Sequence, residues 1–135
     1  MEFDQVSYKS LQKEIKYFLR DNTLIVEPDQ NILQTLKLMK DQNRGCVLVV
    51  KTGQVLGIFT ERDVLDKIAR PGIDARDLQI GYLMTLSPEV LQDTDTLAFA
   101  LNKMAVGGFR HVPIQRENGG FAVLSVRDVV QSFLS

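Results

Sequence analysis

"GIFTERD", residues 57–63, and "AVLSVRD", residues 122–128, share one grammar: a short apolar run, a threonine or serine, two residues, then an aspartate. The two stretches lie 65 positions apart, and the same offset aligns much of the remaining chain without a gap. Tyr17 meets Tyr82, Leu36 meets Leu101, Met39 meets Met104 and Val47 meets Val112. Where identity fails the apolar pattern persists: Ile25 with Val90, Ile32 with Leu97, Val49 with Ile114, Ile58 with Val123. A fixed period of this kind means that one supersecondary unit is used twice. The chain therefore divides into a helical extension over 1–16, a first repeat over 17–69, a linker over 70–81 and a second repeat over 82–135. Pro71-Gly72 marks a turn in the linker "RPGIDARDLQIG".

Each repeat reads as strand, helix, strand, strand, helix. "TLIV" at 23 and "PEVL" at 88 are the first strands. Helices follow over about 31–41 and 95–106, because Ile32, Leu33, Leu36 and Met39, and then Leu97, Leu101 and Met104, fall at helical spacing. "CVLVV" and "VLGIF" flank Lys51-Thr52-Gly53-Gln54, while "HVPIQ" and "GFAVL" flank Arg116-Glu117-Asn118-Gly119. Both connectors have hairpin chemistry. Closing helices run over 62–69 and 127–134. One such repeat makes a three-stranded sheet with helices on one face, and two repeats packed together cover each other's exposed faces. An extra amphipathic helix is expected from Tyr8 to Leu19, with Leu11, Ile15 and Phe18 on one side.

The composition bounds the function. At 135 residues, with 44% hydrophobic and 24% charged residues, the chain builds one compact module with a real core. Its net charge of −1, with acids and bases interspersed, gives no argument for nucleic acid or an anionic membrane as partner. No apolar run approaches the ~20 residues that a spanning helix needs. The start "MEFDQVSYKS" is unlike a secretory signal, and a single cysteine fits a reducing cytoplasm. Cys46 stands inside an apolar run as a small core residue. The chain has no nucleophile beside a base, no phosphate-binding Gly-Lys-Ser/Thr loop and no metal-ligand spacing, so an enzyme is not expected. His111, the one histidine, stands at a strand start.

The Ser/Thr-x-x-Asp pair has two readings. In the first it is a capping box: Thr60 and Ser125 bond amides of the first helical turn, and Asp63 and Asp128 sit where the helix dipole favours a negative charge. In the second it holds a ligand twice. Gly57 precedes the motif on a strand, where glycine often marks close approach of a backbone or ligand. Arg62 and Arg127 set a cation at the same place in both copies, beside a helix N-terminus that already favours anions. "GGFRHVPI", 107–114, adds Arg110 and His111, and its Pro113 suits an edge strand better than a central one.

These marks, with the "YLMT" entry at 82–85, resemble cystathionine β-synthase (CBS) domains. The chain is similar to a stand-alone CBS pair, or Bateman module, from about Tyr17 onward. The resemblance implies an α+β fold of two tandem repeats packed with pseudo-twofold symmetry, and two related clefts, each drawing on both repeats. It implies Thr60 and Asp63 at an adenosine ribose in the first cleft, Arg110, His111 and Arg127 at the phosphate, and adenine against Pro88 to Val90. It implies Ser125 and Asp128 at the ribose of the second, Arg62 and Arg110 at the phosphate, and the base near Leu24 and Ile25. A carboxylate accepting from both ribose hydroxyls makes charge-assisted bonds. The clefts are unequal: Ala122 stands where the family often has glycine, and Gly45-Cys46 stand where the second repeat has Arg110-His111. The Asp63 cleft therefore ranks first.

The implied function is a regulatory, energy-sensing module for AMP, ADP or ATP, with no catalytic cofactor, signalling through an unidentified effector protein. S-adenosylmethionine sensing and a ligand-free dimerisation scaffold are the alternatives; cationic Arg110 and Arg127 favour a phosphate-bearing ligand over a sulfonium. A homodimer is expected from apolar residues on the closing helices, Leu65, Ile68 and Ala69 with Val130, Phe133 and Leu134.

Overall fold

Lys51-Thr52-Gly53-Gln54 shows how local sequence sets the frame. Thr52 and Gly53 both have positive φ, 49° and 75°. Positive φ at both central residues makes a two-residue turn whose twist matches that of the strands it joins. The strands are β2 (Cys46–Lys51) and β3 (Gln54–Thr60), paired antiparallel from Lys51↔Gln54 to Cys46↔Thr60. In this computed structural model, residues 8–20, 23–86 and 89–134 are described.

The chain separates into two compact units. The first is Asn22–Pro88; the second joins the segment ending at Asp21 to Glu89–Ser135. In the first, β1 (Leu24–Val26) leads into helix α1 (Ile32–Asp41), which returns the chain so that β2 pairs parallel to β1. Asn31 caps α1, its side chain accepting from the amides of Leu33 and Gln34. After β3 comes α2, a single α-turn at Glu61–Asp63 that continues as π-helix over Val64–Ala69. A 3-10 turn at Ile80–Tyr82 precedes the two-residue strand β4 (Thr85–Leu86), which pairs antiparallel with β3. The sheet order is β1-β2-β3-β4.

The second unit repeats the plan with β5 (Leu91–Gln92), α3 (Leu97–Gly107), β6 (His111–Gln115), β7 (Phe121–Ser125) and α4 (Val126–Leu134). Its sheet order is β5-β6-β7, with β5 parallel to β6 and β6 antiparallel to β7. The fold is α+β, two similar mixed sheets each carrying helices. The expected order of elements is present in both repeats.

Three expectations need correcting. The first sheet has four strands and not three, because Thr85-Leu86 of the "YLMT" stretch docks on β3. Gly57 is glycine for that docking: a Cβ there would meet Met84 Sδ at 2.6 Å and Thr85 O at 2.7 Å. The close approach the sequence signalled is thus backbone, made by the chain itself. Pro113 lies in β6, the central strand of its sheet. It is tolerated because the pairing with β5 begins only at Ile114, so the register position of Pro113 has no strand partner on that side. The expected helix from Tyr8 to Leu19 is broken. Tyr8–Leu11 is helical, Glu14 is extended (φ −69°, ψ 149°) and Ile15–Phe18 is a 3-10 turn.

The break has a physical reason. Ile15 is fully buried in the core of the second unit, with Leu97, Val112, Ile114 and Leu124. Reaching it requires Ile15 N–H to donate to Asp95 O, Lys16 N–H to Asp93 O, and Leu97 N–H to Lys13 O. The first unit makes the same three bonds: Ile80 N–H to Gln30 O, Gly81 N–H to Pro28 O, Ile32 N–H to Leu78 O. Bridges Glu14↔Thr96 and Asn31↔Gln79 complete the match. Every partner is shifted by the repeat offset, but in opposite directions. Each 3-10 turn therefore precedes one repeat in sequence and packs into the sheet of the other. The cores obey the same offset: Ile80, Ile32, Met39, Val47, Val49 and Phe59 correspond to Ile15, Leu97, Met104, Val112, Ile114 and Leu124.

Candidate functional site

Thr60 ends β3 in an extended conformation and starts α2. Its hydroxyl accepts from the Asp63 amide at 3.4 Å, and its own amide donates to Asp63 Oδ2 at 2.9 Å. The capping box is complete. Its hydroxyl also lies 3.3 Å from Oδ2 as a donor. The other carboxylate oxygen, Oδ1, accepts from the Thr85 hydroxyl at 3.1 Å and lies 3.4 Å from Lys67 Nζ. A carboxylate has about four acceptor positions, and this one has four donors around it from its own chain. The Asp63 side chain is 13% exposed.

The second copy is built on the same frame with different partners. The Asp128 amide donates to Ser125 Oγ at 3.1 Å. Asp128 Oδ1 lies 3.3 Å from Arg20 Nε, and its side chain is likewise 13% exposed. Arg20 also donates to Gln131 Oε1 at 3.0 Å. Arg20 and Thr85 stand one repeat apart. Each lead-in segment thus sends the same position onto the aspartate of the sheet it joins. The cation differs in origin: Lys67 comes from the helix that carries Asp63, whereas Ser132 occupies that place in the second copy.

The strand before each motif adds a second repeated contact. Gly45 O accepts from Glu61 N–H at 3.1 Å, and Arg110 O accepts from Val126 N–H at 3.0 Å, each fixing a helix start. Cys46 therefore lies across from Thr60, and His111 across from Ser125. Burial pushes the Cys46 thiol up to about 12, the Asp63 charge adding to the effect and Arg44 opposing it. This thiol is neutral at physiological pH and has no nucleophilic character.

The remaining expected residues fall as follows. Arg110, His111, Ser125, Arg127, Asp128 and Val90 belong to the second unit, and Leu24, Ile25, Thr60, Arg62 and Asp63 to the first. Arg62 is 85% exposed and pairs with Asp66 Oδ2 at 3.5 Å. Arg110 and Arg127 are exposed, His111 and Val90 half-buried. Leu24 points into its core, while Ile25, on the opposite face of β1, is 46% exposed. Pro88 lies outside the described residues. Lys67, Thr85 and Arg20 were missed by sequence reasoning. Sliding the chain by its offset would have paired Thr85 with Arg20, but nothing local marked either as a neighbour of an aspartate. Among the described residues no group of three or more His, Cys, Asp or Glu can hold a metal, and no helix is long and apolar enough to cross a membrane.

The CBS domain pattern matches residues 13–70. The CBS-domain containing protein ATU1752 from Agrobacterium tumefaciens is 32% identical, with a TM-score of 0.76 over 89% of this chain and 98% of that one. The mitochondrial CBS domain-containing protein CBSX3 of Arabidopsis thaliana is 30% identical over 77% of this chain and 53% of its own length. The chain spans 66%, 53% and 22% of the first three curated relatives it matches. Two more distant structures share the fold: CBSX2 in complex with AMP, 22% identical, TM-score 0.72, covering 90% of this chain and 96% of that one; and the CBS domain pair of MJ0100 in complex with 5-methylthioadenosine and S-adenosyl-L-methionine, 17% identical, TM-score 0.76, covering 90% and 95%.

Proposed function

The chain belongs to the CBS domain family, and from that premise we propose that it is a regulatory module binding an adenosine-containing ligand, AMP, ADP or ATP, and passing its occupancy to a partner protein. One observation carries the reading: both repeats hold an aspartate carboxylate, 13% exposed, on the first turn of a helix beside a serine or threonine and a cation. Such a carboxylate accepts a ribose diol at a small desolvation cost, since it is already out of bulk water. Exposed Arg110 and Arg127 suit a phosphate better than a sulfonium. The fold itself accommodates such ligands, as CBSX2 with AMP and MJ0100 with its adenosyl compounds illustrate for those proteins. The module acts without chemistry of its own. We place it in a reducing compartment, the cytoplasm, on the strength of its single thiol.

A ligand-free scaffold is the second reading, and one observation favours it: the chain's own donors already surround Asp63. Thermal unfolding with AMP and ATP decides between the two. A ligand at 100 times its dissociation constant adds about 2.7 kcal/mol of stability; no shift in melting temperature at millimolar nucleotide selects the scaffold. A homodimer belongs to the same proposal. Leu65 and Val130, one repeat apart on α2 and α4, are 62% and 48% exposed. Ile68 and Phe133, expected beside them, instead pack against the cores of their own units.

A further inference from the structure

We propose that Lys67 and Thr85 form a latch that competes with the ligand for Asp63 and ties ligand occupancy to the docking of β4. This rests on the reading of Asp63 as a ribose contact. Lys67 Nζ donates to Leu83 O at 2.8 Å and to Thr85 Oγ1 at 3.1 Å, while lying 3.4 Å from Asp63 Oδ1. Thr85 Oγ1 closes the triangle by donating to the same carboxylate oxygen at 3.1 Å. One lysine therefore fastens the helix that carries Asp63 to the segment Leu83–Thr85.

Among the described residues, the end of that segment is held by a short pairing. β4 is two residues long and pairs with β3 only at Gly57↔Leu86 and Ile58↔Thr85. Leu86 is exposed. Met84 and the Thr85 carbonyl sit so close over Gly57 that no side chain fits beneath them. Oδ2 of Asp63 is committed to the helix cap, so a ribose diol reaches this carboxylate through Oδ1. Accepting from a diol there displaces the Thr85 hydroxyl, loosens the Lys67 pair, and frees the segment that carries the chain out of the first unit. The second copy ties its lead-in differently: its cation, Arg20, sits on the lead-in itself and reaches both Asp128 and Gln131, and Ser132 stands where Lys67 would be. The latch makes the two candidate sites respond differently to the same ligand.

The test uses AMP as probe, with calorimetry on the full chain and on Thr85→Val and Lys67→Met, alongside amide hydrogen exchange. Both variants remove a competitor from Oδ1, so AMP should bind about threefold to tenfold more tightly, the scale of one net hydrogen bond. In the unaltered protein, saturating AMP should speed exchange at Thr85 and Leu86, and Lys67→Met should do so without ligand. Equal or weaker AMP binding in both variants, or slower exchange of β4 on AMP addition, overturns the latch and leaves nucleotide binding standing. No AMP binding by any of the three proteins removes the nucleotide reading and the latch with it.

Discussion

Asp63 and Asp128 are equally buried, and the cation beside each differs in origin: Lys67 lies one turn along the same helix, Arg20 on the distant lead-in segment. At this scale the two roles of Asp63 are separable. As a cap, its loss in Asp63→Ala costs roughly 0.5–2 kcal/mol of stability, read by urea unfolding. As a ribose contact, its loss weakens AMP binding by a further ~1.5–3 kcal/mol, read by calorimetry. Unchanged AMP affinity in that variant makes Asp63 a cap and nothing more. Cys46 gives a second residue-scale expectation. Its thiol ionises near 9.0 in the unfolded chain and about 12 in the fold. Between these values the unfolded state has lost a proton that the folded state keeps, so stability falls as pH rises from about 9 to 12. Cys46→Ala should flatten that fall, and alkylation at pH 8 should be slow until the protein is unfolded. A half-buried Cys46 that alkylates at the rate of a free thiol in the native protein contradicts the raised thiol pKa.

At the scale of elements, the short β4 is the instructive case. Gly57→Ala drives a methyl into Met84 and the Thr85 carbonyl, and backbone cannot yield as a side chain tip does. We expect about 1–3 kcal/mol of destabilisation, the ordinary range for overpacking, with lost amide protection at Leu86. The equivalent residue Ala122 is fully buried and already carries its methyl; among the described residues no strand pairs with β7 beyond β6. The long elements were legible because their periodicity is strong: α1, α3, β2, β3, β6 and β7 fall within a residue or two of their expected bounds. β4 was not, because a two-residue strand has no period to read. The broken helix at Tyr8–Phe18 failed for another reason. Its apolar spacing is helical, but Ile15 gains more by entering a core whose other members lie 76 or more positions further along.

For the whole molecule the reciprocal exchange of the 3-10 turns makes a sharp expectation. Ile15→Ala should cost about 2–5 kcal/mol, as for other fully buried large-to-small changes. Its effect on hydrogen exchange should appear in α3 and β6, not in β1 and α1, although β1 is the nearer strand in sequence. Ile80→Ala should reverse the pattern, loosening α1 and β2. Loss of protection in the adjacent repeat instead would mean that Ile15 and Ile80 do not support the cores they enter. Self-association is tested at this scale also: sedimentation at micromolar concentration should give a dimer, and Leu65→Asp with Val130→Asp should shift it to monomer. A monomer throughout ends the dimer proposal.

The sequence by itself determined the repeat, its offset, the α+β order of elements and the two Ser/Thr-x-x-Asp caps. Each of these is a local pattern, set by side-chain period or by contacts three residues apart, and the offset only copies it. The same local chemistry carried the resemblance to CBS domains through "GIFTERD", "RHVPI" and "AVLSVRD". Tertiary structure alone decided which lead-in joins which sheet, why Gly57 has no side chain, and which donors surround each aspartate. Those depend on partners distant in sequence: Thr85 is 22 residues from Asp63, and Arg20 lies in a different segment of the chain from Asp128 altogether. A carboxylate at a helix start looks the same in sequence whether its free oxygen faces solvent or a lysine from the next turn; only the folded chain, by closing β4 over Gly57, filled that position.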